Sequence, residues 1–124
     1  MYDGTARNYA DSASYCISQG GRLASIHNDA ENEAIINLVK KTAYIGAESD
    51  GKGKWKWADG TTWWQPASGK TDGIRGTSET RIAIHTDDKW HDWFAGAATL
   101  SVVCAKAKPG CTSSLRTITS LNDG

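Results

Sequence analysis

A chain of 124 residues suits one domain with a buried core and is short for two of ordinary size. Lys plus Arg and Asp plus Glu both number 14, so the net charge is zero, and no basic block is longer than Lys40-Lys41. This balance argues against nucleic acid and anionic membranes as partners, and no apolar run approaches the roughly 18 residues of a membrane span.

Tyr2-Asp3-Gly4-Thr5 is not the apolar core of a signal peptide, so an exported protein would be represented here by its mature part. Asn8 to Gln19 reads as a short helix with Tyr9, Ala13, Cys16 and Ile17 on one face, ended by Gly20-Gly21. Leu23 to Ile26 reads as a short extended piece. The second helix is capped by Asn28 or Asp29, carries Glu31 and Glu33 in its first turn, and buries Ala34, Ile35, Leu38 and Val39. Lys40-Lys41 suit its last turn, where cations favour the helix dipole.

Beyond Thr42 the pattern changes to short strands and turns. Tyr44 to Ala47 is a strand, Asp50 to Gly53 a turn, and Trp55 to Trp57 a strand with both tryptophans on one face. Asp59-Gly60 predicts a hairpin into Thr61 to Trp64, and on such a strand only one of Trp63 and Trp64 can face inward. Gln65 to Thr80 is polar, Gly-rich and without periodicity, which predicts one long loop of the kind that carries function or motion. Arg81 to His85 alternates as a half-buried strand with His85 turned to solvent. Asp87-Asp88 turns, Lys89-Trp90 opens another strand, and Leu100, Val102 and Cys104 share a face of the last one.

Cys16 and Cys104 therefore both lie on core faces, and a bridge between them would be worth at most roughly 4–5 kcal/mol by chain entropy. Two helices followed by antiparallel strands is an α+β plan. Residues 1–107 form the expected domain. Residues 108–124, opening on Lys108-Pro109-Gly110, read as a linker or tail, or as the start of another domain, with Cys111 free to join a second chain or domain.

Several motifs stand in a telling order. They are Ala10-x-x-Ala13-x-Tyr15-Cys16; Gly20-Gly21-x-Leu23-Ala24-Ser25-Ile26; Glu31-x-x-x-Ile35; Tyr44-Ile45-Gly46-Ala47; Trp55-x-Trp57-x-Asp59-Gly60-Thr61; Lys89-Trp90-His91-Asp92; and Val103-Cys104. In this order and with these gaps, the chain resembles the C-type lectin-like domain family over about residues 8 to 106, and most of all its secreted invertebrate members. The resemblance implies the C-type lectin-like fold: two helices, antiparallel strands, a long loop, and termini joined by a Cys16–Cys104 disulfide. It also implies that the family's second bridge is absent, its positions being Arg81 and about Ala95.

In sugar-binding members the long loop and the strand carrying Trp-Asn-Asp hold a calcium ion through hard oxygen ligands. Here Glu79 and Asp92 match two of those ligands, His91 replaces the asparagine, and Gln65-Pro66-Ala67 is the nearest counterpart of the loop triplet. The implied function is carbohydrate recognition in a secreted, extracellular, non-enzymatic module. No cofactor is required, and Glu79 and Asp92 are the metal ligands if calcium binds. The expected ligand residues are Trp64, Gln65, Asp72, Glu79, His91, Asp92 and Trp93, with Trp64 or Trp93 as a stacking platform for a sugar ring. The partner is a glycan or glycoprotein, with oligomerisation through Cys111. The alternative is a protein-binding domain of the same fold, with the adaptable loop as its contact surface.

Overall fold

A computed structural model describes residues 1–96, 100–107 and 116–117; the expectations for the tail from 108 on, Cys111 included, otherwise lie outside the described residues. The elements run β1 (Tyr2–Arg7), α1 (Tyr9–Ser18), β2 (Arg22–Leu23), α2 (Asp29–Leu38), β3 (Ala43–Ser49), β4 (Trp55–Trp57), β5 (Arg81–Ile84), β6 (Trp90–Trp93), β7 (Leu100–Ala107) and β8 (Arg116–Thr117).

Both helices start on the caps their sequences offer. Asn8 accepts from the Asp11 N–H and Asn28 from the Glu31 N–H, each at 2.8 Å, satisfying donors that a helix start leaves open. Gly20, at φ 86°, ends α1, and the Gly21 N–H reaches back to Cys16 O at 2.9 Å. The second helix stops at Leu38, short of Lys40-Lys41. Val39 is already extended and packs on the core, because the chain must turn at once into buried β3. The face α2 buries is Asn32 and Ile35, with Ile36 partly buried beside them; Ile35 and Val39 pack on the core as expected, while Ala34 and Leu38 are only half-buried.

The main sheet is ordered β1-β7-β3-β5-β6, with β4 beside β3 and with β2 and β8 beside β7. All pairs are antiparallel except β3 with β7, where Ala43 and Tyr44 face Ser101 and Val102 in parallel. Alternation along the strands divides the core in two. Ala43, Ile45, Ala47, Ile82, Ile84, Trp90, Val103 and Ala105 join Ile35 of α2 and Trp57 on one face. Tyr44, Ala83, Leu100, Val102 and Cys104 join Tyr9 and Cys16 of α1 on the other. Cys16 and Cys104 are fully buried and bonded, with Cα atoms 5.4 Å apart.

One strand goes unread in the sequence, and one expected strand is absent, each for a physical reason. Tyr2–Arg7 is a strand, although its polar edge sequence gives no signal, because β7 supplies the partner. Thr61 to Trp64 is not a strand. Asp59 accepts from the Thr61 N–H at 3.0 Å and from the Thr61 and Ser25 hydroxyls, which ties this segment to the loop before α2 instead of to β4. Freed from strand alternation, Trp63 and Trp64 both pack against the first core cluster. The Trp63 ring lies 4.5 Å from Trp57 and stacks on Trp55 at 6.1 Å.

Candidate functional site

The long loop is irregular apart from one turn of 3-10 helix at Ser68–Lys70, as expected, yet it is fastened along its length. Asp72 N–H donates to Trp90 O at 2.8 Å, and Ile74 packs into the core. Gly76 O accepts from the Gly53 N–H at 3.2 Å and from the Ser49 hydroxyl, and Arg75 N–H donates to Asp92 Oδ2 at 3.1 Å. Noncovalent ties thus do work that a disulfide near the loop would otherwise do.

Strand β6 then sorts the expected ligand residues onto two faces. Trp90 and Asp92 point to the side of the first core cluster, His91 and Trp93 to the side of the second. Burial, followed by the negative charge of Asp92, pushes the Glu79 carboxyl above its usual range.

On the other side, His91 is held at both ring nitrogens: Nδ1 lies 3.1 Å from Asp72 and Nε2 2.9 Å from Asp87. This pins the loop to the turn before β6. The His85 ring lies 3.9 Å from that of His91, tilted by 34°, and meets the edge of Trp93 at 4.9 Å, so His85 is not turned to open solvent as its place on the strand suggests. The face opposite Ile82 and Ile84 is simply occupied by these two rings. Burial, with the neighbouring His91, lowers the His85 pKa against the opposing pull of Asp87 and Asp72.

Trp93 is half-buried on the second cluster with its indole N–H shielded and unpartnered, and Trp64 lies edge-on to Trp90 at 6.3 Å. Gln65 is exposed and accepts from Trp63 Nε1 at 3.1 Å. Sequence reasoning misses Asp87, His85 and the Arg75 amide. Asp87 stands four residues before His91, but only the folded turn between the strands makes that spacing a contact.

A calcium ion asks for six to eight oxygens. The residues present do not supply them. Glu79 and Asp92 are two carboxylates, and one Asp92 oxygen already accepts from Arg75. His91 is turned to the opposite face, and among the described residues no group of three or more His, Cys, Asp or Glu side chains is placed to hold a metal.

The chain matches the Lectin C-type domain family over residues 5–106. Among curated proteins it is 32% identical over 110 residues to the type-2 ice-structuring protein of Hemitripterus americanus, covering 84% of this chain and 65% of that one. It is 29% identical over 85 residues to human C-type lectin domain family 4 member F, covering 67% of this chain and 14% of that one. The chain therefore spans less than two thirds of the length of either relative. Among solved structures, a calcium-independent type II antifreeze protein is 30% identical with a TM-score of 0.70, covering 86% of this chain and 83% of that one. The cow C-type carbohydrate-recognition domain of CD23, solved in the presence of GlcNAc2Man3 oligosaccharide, is 26% identical with a TM-score of 0.67, covering 83% and 82%. With the fold, the buried Cys16–Cys104 bridge and the family match over nearly all the described residues in agreement, the chain belongs to the C-type lectin domain family.

Proposed function

We propose that this domain recognises a carbohydrate outside the cell, taking sugar hydroxyls directly at the Glu79–Asp92 corner instead of through calcium, and that it is not an enzyme. The observation that supports this is that Asp92 lies near enough to Glu79 for its charge to add to burial in raising the Glu79 pKa, two carboxylates whose oxygens can accept from sugar hydroxyls. In this reading Trp64 and Gln65 border the ligand, while Asp72, His91 and Trp93 fix the loop and strand that shape the corner. A disulfide as deeply buried as Cys16–Cys104 fits an oxidising compartment. Residues 1–107 are the binding unit, and 108–124 are a tail through which Cys111 joins a second chain or domain.

A single site built this way binds weakly, with Kd on the order of mM. A glycan array followed by titration with and without EDTA tests the reading. Binding is expected to survive EDTA and to be lost in Glu79→Gln/Asp92→Asn. Loss in EDTA overturns the calcium-free mode, and silence across the array overturns carbohydrate recognition.

A second reading is favoured by the similarity to the calcium-independent antifreeze structure and to the ice-structuring protein: the same face binds ice. Thermal hysteresis of the purified protein decides it, since an ice binder separates freezing from melting and a lectin does not.

A further inference from the structure

Between Gln65 and Thr80 the chain has two cations, Lys70 and Arg75. Lys70 is drawn toward α2, where its Nζ stands 4.0 Å from Asp29. Arg75 is built into the corner by its main chain, whose N–H donates to Asp92 Oδ2 at 3.1 Å, and the residue itself is exposed. A guanidinium side chain thus springs from the backbone that one of the two carboxylates holds.

The turn between β3 and β4 brings two more cations to the same place. It leaves β3 at Ser49, whose N–H donates to Thr80 O at 2.9 Å, one residue from Glu79. Farther along, the Gly53 N–H donates to Gly76 O at 3.2 Å, and a Cβ on Gly53 would stand 3.0 Å from Arg75 O. Main chain lies on main chain here, a contact that glycine permits, and the flanking Lys52 and Lys54 are left exposed. The one acid of this turn, Asp50, accepts both lysine amides on Oδ1, at 2.7 and 3.1 Å. Among the described residues no ion pair within 4.0 Å engages Lys52, Lys54 or Arg75.

Three cations therefore form a ridge along one side of the Glu79–Asp92 corner. Corner and ridge ask opposite things of a ligand. The two carboxylates accept from hydroxyls and turn an anion away, while the ridge answers an oxyanion, above all through Arg75, whose planar fork matches a carboxylate or sulfate. We propose that the ligand is an acidic glycan that spans the two. One neutral sugar offers its hydroxyls to Glu79 and Asp92, and the next unit lays its carboxylate or sulfate on Arg75, Lys52 and Lys54. A wholly neutral glycan leaves the ridge in water and gains nothing from it. This inference rests on carbohydrate recognition at the corner and adds the charge of the ligand to it.

The test is an array of disaccharides in three matched forms, neutral, sulfated and uronic, with galactose, glucose, mannose or N-acetylglucosamine as the terminal neutral unit. Sulfated and uronic members are expected to bind about tenfold more tightly than their neutral counterparts, with the advantage shrinking as salt is raised. Lys52→Gln/Lys54→Gln/Arg75→Gln should abolish the advantage and leave neutral binding unchanged, because the Arg75 amide keeps its bond to Asp92. Equal binding of charged and neutral members, or an advantage that survives in the triple variant, overturns the proposal and leaves the corner reading standing. Charged members that bind undiminished to Glu79→Gln/Asp92→Asn overturn the corner reading, and the spanning ligand with it. Inorganic sulfate or a DNA oligonucleotide binding as tightly as the charged sugars overturns the glycan assignment.

Discussion

Arg81 lies over the ring of Tyr9, its Cζ 4.4 Å from the ring centre, at the position where the resemblance expects half of a second disulfide. The other half falls near Ala95, whose carbonyl accepts the Tyr9 N–H at 3.0 Å. Tyr44 adds its hydroxyl to the carbonyls of Phe94 and Ala95, and the two tyrosine rings meet edge-on at 5.5 Å. One end of α1 and the end of β6 are thus joined through an aromatic pair and a stacked cation in place of sulfur.

The Tyr9 hydroxyl is the removable part of that arrangement. Burial, then the bond to Glu48 and its charge, push the phenol far above its ordinary pKa, so it stays a donor at every working pH. Tyr9→Phe keeps the ring contacts and should cost about 1 kcal/mol of stability, read from the urea midpoint. Tyr9→Ala removes the ring under Arg81 as well and should cost about 3–5 kcal/mol.

Trp90 gives its indole N–H to Asn32 Oδ1 at 2.8 Å, and both residues are fully buried. This bond fastens α2 to β6 through the core. Asn32→Ala strands the indole donor and opens a small cavity, with an expected loss of about 2–3 kcal/mol in chemical denaturation. Because β6 carries Asp92, ligand affinity should fall alongside.

Gly76 holds φ at 70°, and a Cβ there would stand 2.6 Å from the Ser49 hydroxyl and 2.9 Å from the Trp55 ring. Gly76→Ala therefore suffers both backbone strain and a clash against a strand. A loss of about 1–3 kcal/mol is expected, with faster amide exchange across residues 71–78 than in the helices.

His85 sets a pH dependence. Its folded pKa lies below the usual histidine value of 6.5, chiefly through burial, with His91 lowering it further and Asp87 and Asp72 opposing. The unfolded chain then takes up a proton that the folded chain resists. The stabilising difference is complete above 6.5 and is lost as pH falls through that value toward the lower folded pKa. Urea midpoints measured from pH 8 to pH 5 should decline, and His85→Asn should flatten that part of the decline.

Much of the scaffold can be read from the chain because its signals are periodic. The helix faces carrying Cys16 and Ile35, the alternation in β5 and the Leu100–Val102–Cys104 face each need only local spacing. The segments that escape depend on partners far away. Strand β1 is polar and exists because β7 accepts it, and Thr61 to Trp64 leaves strand geometry because Asp59 is engaged by Ser25. At the site, Glu79 and Asp92 are legible through motif position. The clasp of Asp72 and Asp87 on His91 is not, since the loop reaches β6 by backbone bonds at Thr71 and Asp72 that no composition encodes.

The parallel pairing of β3 with β7 has a consequence for how the molecule is made. The ladder between Ala43–Tyr44 and Ser101–Val102 cannot close until β7 has left the ribosome, and both cores contain residues from that strand. A nascent chain ending anywhere before Leu100 has two helices and several unzipped edges but nothing to seat them against. Folding is therefore postponed until β7 has emerged, and the oxidation of Cys16 is timed by the arrival of Cys104.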